Sequence, residues 1–391
     1  MRKIIIALLS ITIIFATTSC SKEKVVKVEE IYEYVYDAGE YTKLDYDNSS
    51  KFYAQQYDNW GGGCSAIAKT LANGQTIVGR NMDLNISNKC AYVIRTNVKD
   101  CYPTIGLAYT FRDFSPNYNE VKQKGGIGED FHKILPFMCD DVLNSEGLYI
   151  EINMRNGEFW PTGDAKFSCK GTNPDSNERV YMFEIPRYVG EHCATVDEAI
   201  EYINTLDVYS KEGYWNYCFL IADATGHYGV MEFANDSAIW HDYQPAQTNF
   251  YIDEELNSIE ELKCGVGRYN LLMENIDSVN SEDDMFNLMN RVTYYQVYDV
   301  DNCEFDWRSE DVGVLPFASY DFVTAEEYQE AIYEAAKLNG QQIRSMTREQ
   351  QQVQNEYWES SFTEVINCNE RTLFVRFFEN DSKTLKLGFD K

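Results

Sequence analysis

Cys64 is followed sixteen positions later by Arg80 and, three residues beyond that, by Asp83. Together these residue types can do nucleophilic chemistry. A cysteine thiol is a strong side-chain nucleophile near neutral pH, with an unperturbed pKa of about 8.5. If the peptide bond before Cys64 is cut, the same residue also carries a free α-amine, whose unperturbed pKa is about 7.7–8.0. The two values lie close together, so the amine can take the thiol proton directly or through a water. One residue then supplies both nucleophile and general base. A lysine base would first need its pKa pulled down by roughly two units or more. No histidine is required, in a chain whose four are His132, His192, His227 and His241. A guanidinium at Arg80 would favour the thiolate by its charge. A carboxylate at Asp83 would accept a hydrogen bond from the α-ammonium and orient it. The plain alternatives are one more buried cysteine and a surface Arg–Asp pair of little energetic weight.

A hairpin would bring these residues together. Ser65–Ala68 and Thr76–Val78 read as short strands flanking Ala72-Asn73-Gly74-Gln75, and Asn-Gly between such runs is a strong hairpin signal. Further strands are expected at 91–96 and 104–111, at 219–222 and 228–233 around Asp223-Ala224-Thr225-Gly226, and at 362–366 and 372–378. Helices are expected from the capping boxes Thr195–Glu198 and Thr324–Glu327, the second stopping near Gly340, and over 269–276 and 285–292. Strand-rich text brackets a helical middle without regular alternation, which favours an α+β layered domain over a doubly wound sheet.

Arg2-Lys3, an apolar run from Ile4 to Phe15, small residues Ala16–Ser19 and then Cys20 read as an export signal over residues 1–19. The apolar run is too short to span a bilayer. Cys20 after small residues resembles a bacterial lipobox, although Thr17 stands where Leu is usual, and marks Cys20 as a lipidation site. Simple secretion is the alternative. Residues 20–63 form a leader or tether that ends in Trp60-Gly61-Gly62-Gly63, an open stretch that a protease, or the chain itself, can reach. The main domain is expected over 64–391.

The formal net charge is −29. The leader with its signal holds seven Lys/Arg and nine Asp/Glu, so the acidity belongs to the domain. Such a surface repels nucleic acid and offers no polybasic membrane patch, leaving Cys20 as the membrane link. Of eleven cysteines, nine remain beside Cys20 and Cys64, and none forms a C-x-x-C pair. A zinc site built from close pairs is therefore not expected, and no metal or cofactor is called for. Some disulfides fit an exported chain, but buried free thiols fit the apolar text around Tyr217-Cys218-Phe219 as well.

The segment from Cys64 to Gly79-Arg80-Asn81-Met82-Asp83 resembles the choloylglycine hydrolase and penicillin V acylase family of N-terminal-nucleophile enzymes. Further blocks fit in order. Asn144-Ser145-Glu146-Gly147-Leu148 with Glu151-Ile152-Asn153 resembles a strand ending in an oxyanion-hole residue, here Asn153. Ile221–Gly226 with Met231-Glu232 resembles the family's hairpin. Thr248-Asn249 resembles a Thr-Asn pair whose Asn donates to the oxyanion. Gly267-Arg268-Tyr269 resembles a Ser-Arg-Phe that places an arginine, here Arg268, near the nucleophile. The leader has no counterpart in the intracellular bile salt hydrolases. Glu151, Asp223 and Glu232 read as structural.

The resemblance implies a four-layer αββα fold with two stacked antiparallel sheets, and dimers or tetramers. It also implies hydrolysis of a linear, non-peptide amide through a Cys64 thioester. The small-molecule substrate would be a conjugated bile salt, a penicillin V-like amide or another N-acyl amide. Two alternatives stand beside it. One is an acyltransferase of the isopenicillin N type, which resolves the thioester with an amine. The other is a non-catalytic surface lipoprotein that keeps the fold.

Overall fold

The computed structural model describes residues 24–28, 31–37, 63–83, 91–109, 139–154, 168–210, 217–259, 265–292, 360–377 and 384–389. The export signal, Cys20, Cys90, Cys264, Cys303 and the helix expected from Thr324 lie outside these residues. In chain order the strands are β1 Lys24–Val28, β2 Ile31–Asp37, β3 Gly63–Thr70, β4 Thr76–Asp83, β5 Ala91–Asn97, β6 Thr104–Tyr109, β7 Cys139–Asn144, β8 Tyr149–Met154, β9 Arg179–Tyr181, β10 Asp207–Tyr209, β11 Tyr217–Ala222, β12 Tyr228–Ala234, β13 Ser237–Asp242, β14 Ala246–Gln247, β15 Ser360–Asn367, β16 Thr372–Phe377 and β17 Leu385–Gly388. The helices are α1 Ile185–His192, α2 Val196–Thr205, α3 Glu254–Ile259, α4 Val266–Asn275 and α5 Glu282–Asn290.

Two sheets carry the fold. Nine strands run in the order β1-β2-β5-β6-β7-β8-β11-β12-β13, and six in the order β14-β3-β4-β15-β16-β17, while β9 and β10 form a separate parallel pair. Helices α1 and α2 cover the nine-stranded sheet, α1 lying on β7 and β8. Helices α4 and α5 cover the six-stranded sheet, on β14, β3, β4 and β15. The expected helix–sheet–sheet–helix layering is therefore present. Strand β4 is buried along its whole length because it has the other sheet on one face and α5 on the other. Gly79 makes the second contact possible, since a Cβ there would stand 2.7 Å from Met285 Sδ and 2.8 Å from Met289 Cγ.

Sequence and structure agree closely on the first hairpin. Strands β3 and β4 pair from Gly63↔Asp83 to Thr70↔Thr76, with Asn73-Gly74 in the turn. The Thr195 cap also forms: its hydroxyl accepts from Glu198 N at 3.2 Å, and Glu198 Oε2 accepts from Ala194 N at 2.6 Å. Cys64, Cys101, Cys139, Cys169, Cys193, Cys218 and Cys368 are free thiols, and all but Cys101 are buried.

The leader departs from a plain tether. Residues 24–37 form the β1–β2 hairpin, and β2 joins β5 in parallel from Ile31↔Ala91 to Asp37↔Asn97. Apart from this junction, the nine-stranded sheet is antiparallel throughout. The sequences Lys-Val-Val-Lys-Val and Ile-Tyr-Glu-Tyr-Val-Tyr-Asp are rich in the β-branched and aromatic residues that strands favour.

Candidate active site

Alternation along β3 and β4 sorts the residues around Cys64. Residues opposite one another in an antiparallel pair share a face, and neighbours along a strand alternate. Cys64 faces Met82 across the ladder, and Ala66 faces Arg80. These side chains lie on the face toward the nine-stranded sheet, where Arg80 reaches β7 and β8. Asp83 is an odd number of residues from Arg80, so it turns to the other face, where α4 delivers Arg268.

The backbone of Cys64 is the hub of the second face. Its N–H donates to Asn249 Oδ1 at 3.0 Å. Arg268 Nη1 donates to the Cys64 carbonyl (2.8 Å), to Ser65 Oγ (2.7 Å) and to Asp83 Oδ2 (2.9 Å). Arg268 Nη2 donates to Asn249 Oδ1 at 2.8 Å. Local structure explains the convergence. Gln247 of β14 pairs with Ala66, so continuing that register brings Asn249 opposite Cys64. Gly265 sits before α4 at φ +82, and a Cβ there would stand 2.8 Å from Arg268 Nη2. This left-handed conformation costs glycine little, and no larger residue leaves room for the guanidinium.

Arg80 occupies a buried ionic cluster between the sheets. Its Nη1 lies 2.5 Å from Asp141 Oδ2 and 3.5 Å from Glu364 Oε2, and its Nε lies 3.0 Å from Glu151 Oε2. Its Nη2 donates to Ile152 O at 3.2 Å. Glu151 Oε1 also accepts from Gln247 Nε2. All four charged residues are fully buried. One guanidinium cannot neutralise three carboxylates, so the cluster holds protons. Burial pushes the Asp141 and Glu364 carboxyls upward, against the lowering pull of Arg80. Burial likewise lifts Glu151 to about 7, against the lowering effects of Arg80 and Gln247.

Cys64 itself is 7% exposed. Burial pushes its thiol up to about 12, while the positive charge of Arg80 pulls the other way and the charges of Asp83 and Glu151 oppose Arg80. The sulfur accepts from the Asp83 backbone N–H and lies 3.5 Å from Met82 Sδ. The thiol of the uncut chain is therefore neutral, and the near match of thiol and amine expected from unperturbed values does not hold in it. Desolvation is the reason.

The structure gathers Cys64, Asp83, Asn249 and Arg268 into direct contact. Arg80 acts on Cys64 by charge, and its hydrogen bonds go to the Glu151 and Asp141 carboxylates and to the Ile152 carbonyl. Asn153 is buried on β8, where its carboxamide nitrogen, oriented by its neighbours, faces Glu151 Oε2 at 2.9 Å and Ile152 O at 3.2 Å. The Asn249 amide nitrogen donates to Met154 O at 2.6 Å. Either amide must exchange a partner to hold an oxyanion. The residues that sequence reasoning passed over are Ser65, Asp141, Gln247 and Glu364, and Glu151, read as structural, holds Arg80 by an ion pair at 3.0 Å. Asp141 and Glu364 left a trace, as acidic residues inside Cys139–Leu143 and Phe362–Ile366, strand text otherwise suited to burial. Asp223 and Glu232 do hold structure. Asp223 accepts from Val196 N and Thr225 N, and Glu232 accepts from Ile252 N, Asp253 N and His241.

The Glu151 carboxyl has a stability consequence. A carboxyl that holds its proton more tightly in the fold gives stability that is fully present below its ordinary pKa and lost as pH rises through the folded value. For Glu151 that window runs from about 4.5 to about 7, worth on the order of 3 kcal/mol. Asp141 and Glu364 act in the same direction. Urea midpoints of the unmodified chain should fall across this window, and those of Glu151→Gln should fall less. Parallel curves would contradict the assignment.

Comparison with known proteins adds a family match and two kinds of solved structure. The family model described as acyl-coenzyme A:6-aminopenicillanic acid acyl-transferase matches residues 136–307. That span contains Asn153, Asn249 and Arg268 but not Cys64, Arg80 or Asp83. Two variants of a conjugated bile acid hydrolase from Clostridium perfringens are each 15% identical to the chain, covering 83% of it and 92% of their own length, with a TM-score of 0.44. A penicillin V acylase from Agrobacterium tumefaciens is 11% identical, covering 83% of this chain and 86% of its own, with a TM-score of 0.42. No curated protein matches the chain.

Proposed function

We propose that the protein is an exported amidase whose nucleophile is Cys64, acting on a linear, non-peptide carbon–nitrogen bond after the chain is cut between Gly63 and Cys64. The polar cage around the Cys64 nitrogen carries this reading. A peptide N–H needs one acceptor, and Asn249 Oδ1 supplies it. Yet Asp83 sits at the same end of the hairpin, opposite Gly63, and Arg268 ties Asp83, Asn249 and the Cys64 carbonyl together. An α-ammonium with three donors would find its acceptors already in place.

The reaction proceeds by acyl transfer. The α-amine takes the Cys64 thiol proton, and the sulfur attacks the amide carbonyl carbon. The oxyanion is held by the side chains of Asn153 and Asn249, each donor worth a few kcal/mol. The ammonium returns the proton to the departing nitrogen, leaving a thioester on Cys64. Water then gives one proton to the amine and its hydroxyl to the acyl carbon, releasing the acid and restoring the thiol. Arg80 favours the thiolate by charge, and Arg268 holds Asp83 and Asn249 in register. Conjugated bile salts, penicillin V-like amides and other N-acyl amides are the candidate substrates.

The match to an acyl-transferase family model supports a second reading, in which an amine replaces water. Incubation with an N-acyl amide, with and without an added amine acceptor, separates the two. Hydrolysis predicts free acid whose yield the acceptor leaves unchanged. Transfer predicts a new amide that grows at the expense of the acid. A non-catalytic lipoprotein predicts neither product and an intact Gly63–Cys64 bond. Export with lipidation at Cys20 would place the chain at the cell envelope of a bacterium. Among the described residues no helix is long and apolar enough to cross a membrane. The β2–β5 pairing gives a severed leader a means of staying docked.

A further inference from the structure

We propose that Cys101, Glu191 and His192 form a divalent transition-metal site of the zinc class, on the far side of the nine-stranded sheet from Cys64. Cys101 lies in the loop between β5 and β6, and the other two residues end α1. The loop is pinned to the helix end by Tyr102 N donating to Glu191 O at 2.9 Å. The result is one sulfur, one ring nitrogen and one carboxylate oxygen all within 4.8 Å of one another.

The histidine is set up as a ligand. Its Nδ1 lies 2.9 Å from Tyr188 O. A carbonyl only accepts, so Nδ1 carries the proton and Nε2 of the neutral ring is left with its lone pair. Nε2 lies 4.0 Å from Cys101 Sγ. A backbone carbonyl on the remote ring nitrogen is the usual second contact of a metal-binding histidine. Tyr188 and Tyr202 hold the ring plane by stacking, with centroids at 6.3 Å and 5.2 Å.

The other two groups match a metal of this class. Thiolate, imidazole and carboxylate are zinc donors, and three protein ligands leave a fourth position for water. Ideal tetrahedral bonds would set the sulfur and nitrogen ~3.6 Å apart, so the pair closes by a few tenths of an ångström. Glu191 is 2% exposed, and burial lifts its carboxyl to about 8. Arg187 Nε lies 3.3 Å from its Oε2. That guanidinium opposes a cation, while the negative end of the α1 dipole favours one. On binding, Cys101 gives its thiol proton and Glu191 its carboxyl proton to solvent as the sulfur and a carboxylate oxygen take the metal. The three positions are 90 and 91 residues apart in sequence, which is why a search for close cysteine pairs does not reveal them.

The test is a Co²⁺ titration of the chelator-cleared full chain, followed by optical absorption and checked by Zn²⁺ displacement. One equivalent of Co²⁺ should raise a thiolate-to-cobalt charge-transfer band with tetrahedral d–d bands, and Zn²⁺ should erase both. Cys101→Ser should lose the charge-transfer band, and His192→Ala should weaken binding at least tenfold. Both positions reach solvent, so the variants should keep the parent thermal melt. Absence of the band at one equivalent, or a band that survives in Cys101→Ser, would overturn the site.

Discussion

Cys64→Ser should abolish turnover, with a loss on the order of 10³-fold or more, and should leave the fold in place. Among the described residues around the Cys64 nitrogen, the sulfur is the group suited to carry the acyl chain. Asp83 and Arg268 are locked together by an ion pair at 2.9 Å, and the Ser65 hydroxyl is committed to Arg268. A serine hydroxyl is far less acidic than a thiol, and the nearby amine cannot deprotonate it as readily. The exchange is close to isosteric and puts a hydroxyl where the sulfur now meets Met82 Sδ at 3.5 Å, so the melt should move little. If the nucleophile also cuts its own leader, the variant will mature slowly or not at all. Steady-state rates with a thermal melt on the same preparation make the check. Full activity in Cys64→Ser would refute the nucleophile.

Arg80→Leu should cost about 3–5 kcal/mol near neutral pH, because it strips from Asp141, Glu151 and Glu364 the guanidinium that pairs with all three. The loss should depend on pH in a defined sense. Without Arg80 the three carboxyls must stay protonated to remain buried, and holding those protons becomes harder as pH rises. The stability gap between the parent chain and the variant should therefore be wider at pH 8 than at pH 5. Urea unfolding at the two values tests this. An equal gap at both would show that Arg80 matters for packing alone. The same variant should lose activity beyond its loss of folded protein, since Arg80 is the positive charge acting on Cys64.

The first hairpin was legible because everything that defines it is local. Asn73-Gly74 sets the turn, and the turn sets the register that puts Arg80 opposite Ala66 and Asp83 opposite Gly63. What local spacing did not show is that Arg80 and Asp83 leave opposite faces of β4. One goes to a carboxylate cluster between the sheets and the other to Arg268. Asn249 and Arg268 were reachable only through family resemblance, because sheet order brings them to Cys64 from 185 and 204 residues away. Helix α1 begins at Ile185-Pro186, where proline suits a helix start. It is short and carries no Ser, Thr, Asp or Asn cap, so it escaped the search for capping boxes. The parallel β2–β5 pairing was not foreseen, since strand propensity says nothing about which edge a strand joins. The Asp141–Glu151–Glu364 cluster was missed for the same reason. A lone acidic residue in a strand is a warning, but its partners come from three strands that only the stacked sheets bring together.

The central claim is that Cys64 works as an N-terminal residue, and intact mass with N-terminal sequencing of active protein from its native compartment tests it most directly. The account predicts a mature chain that starts at Cys64, with activity appearing as the Gly63–Cys64 bond is lost. A fully active chain in which that bond is intact would contradict it, because Asn249 would then be holding a peptide N–H and no α-amine would be present to move the proton.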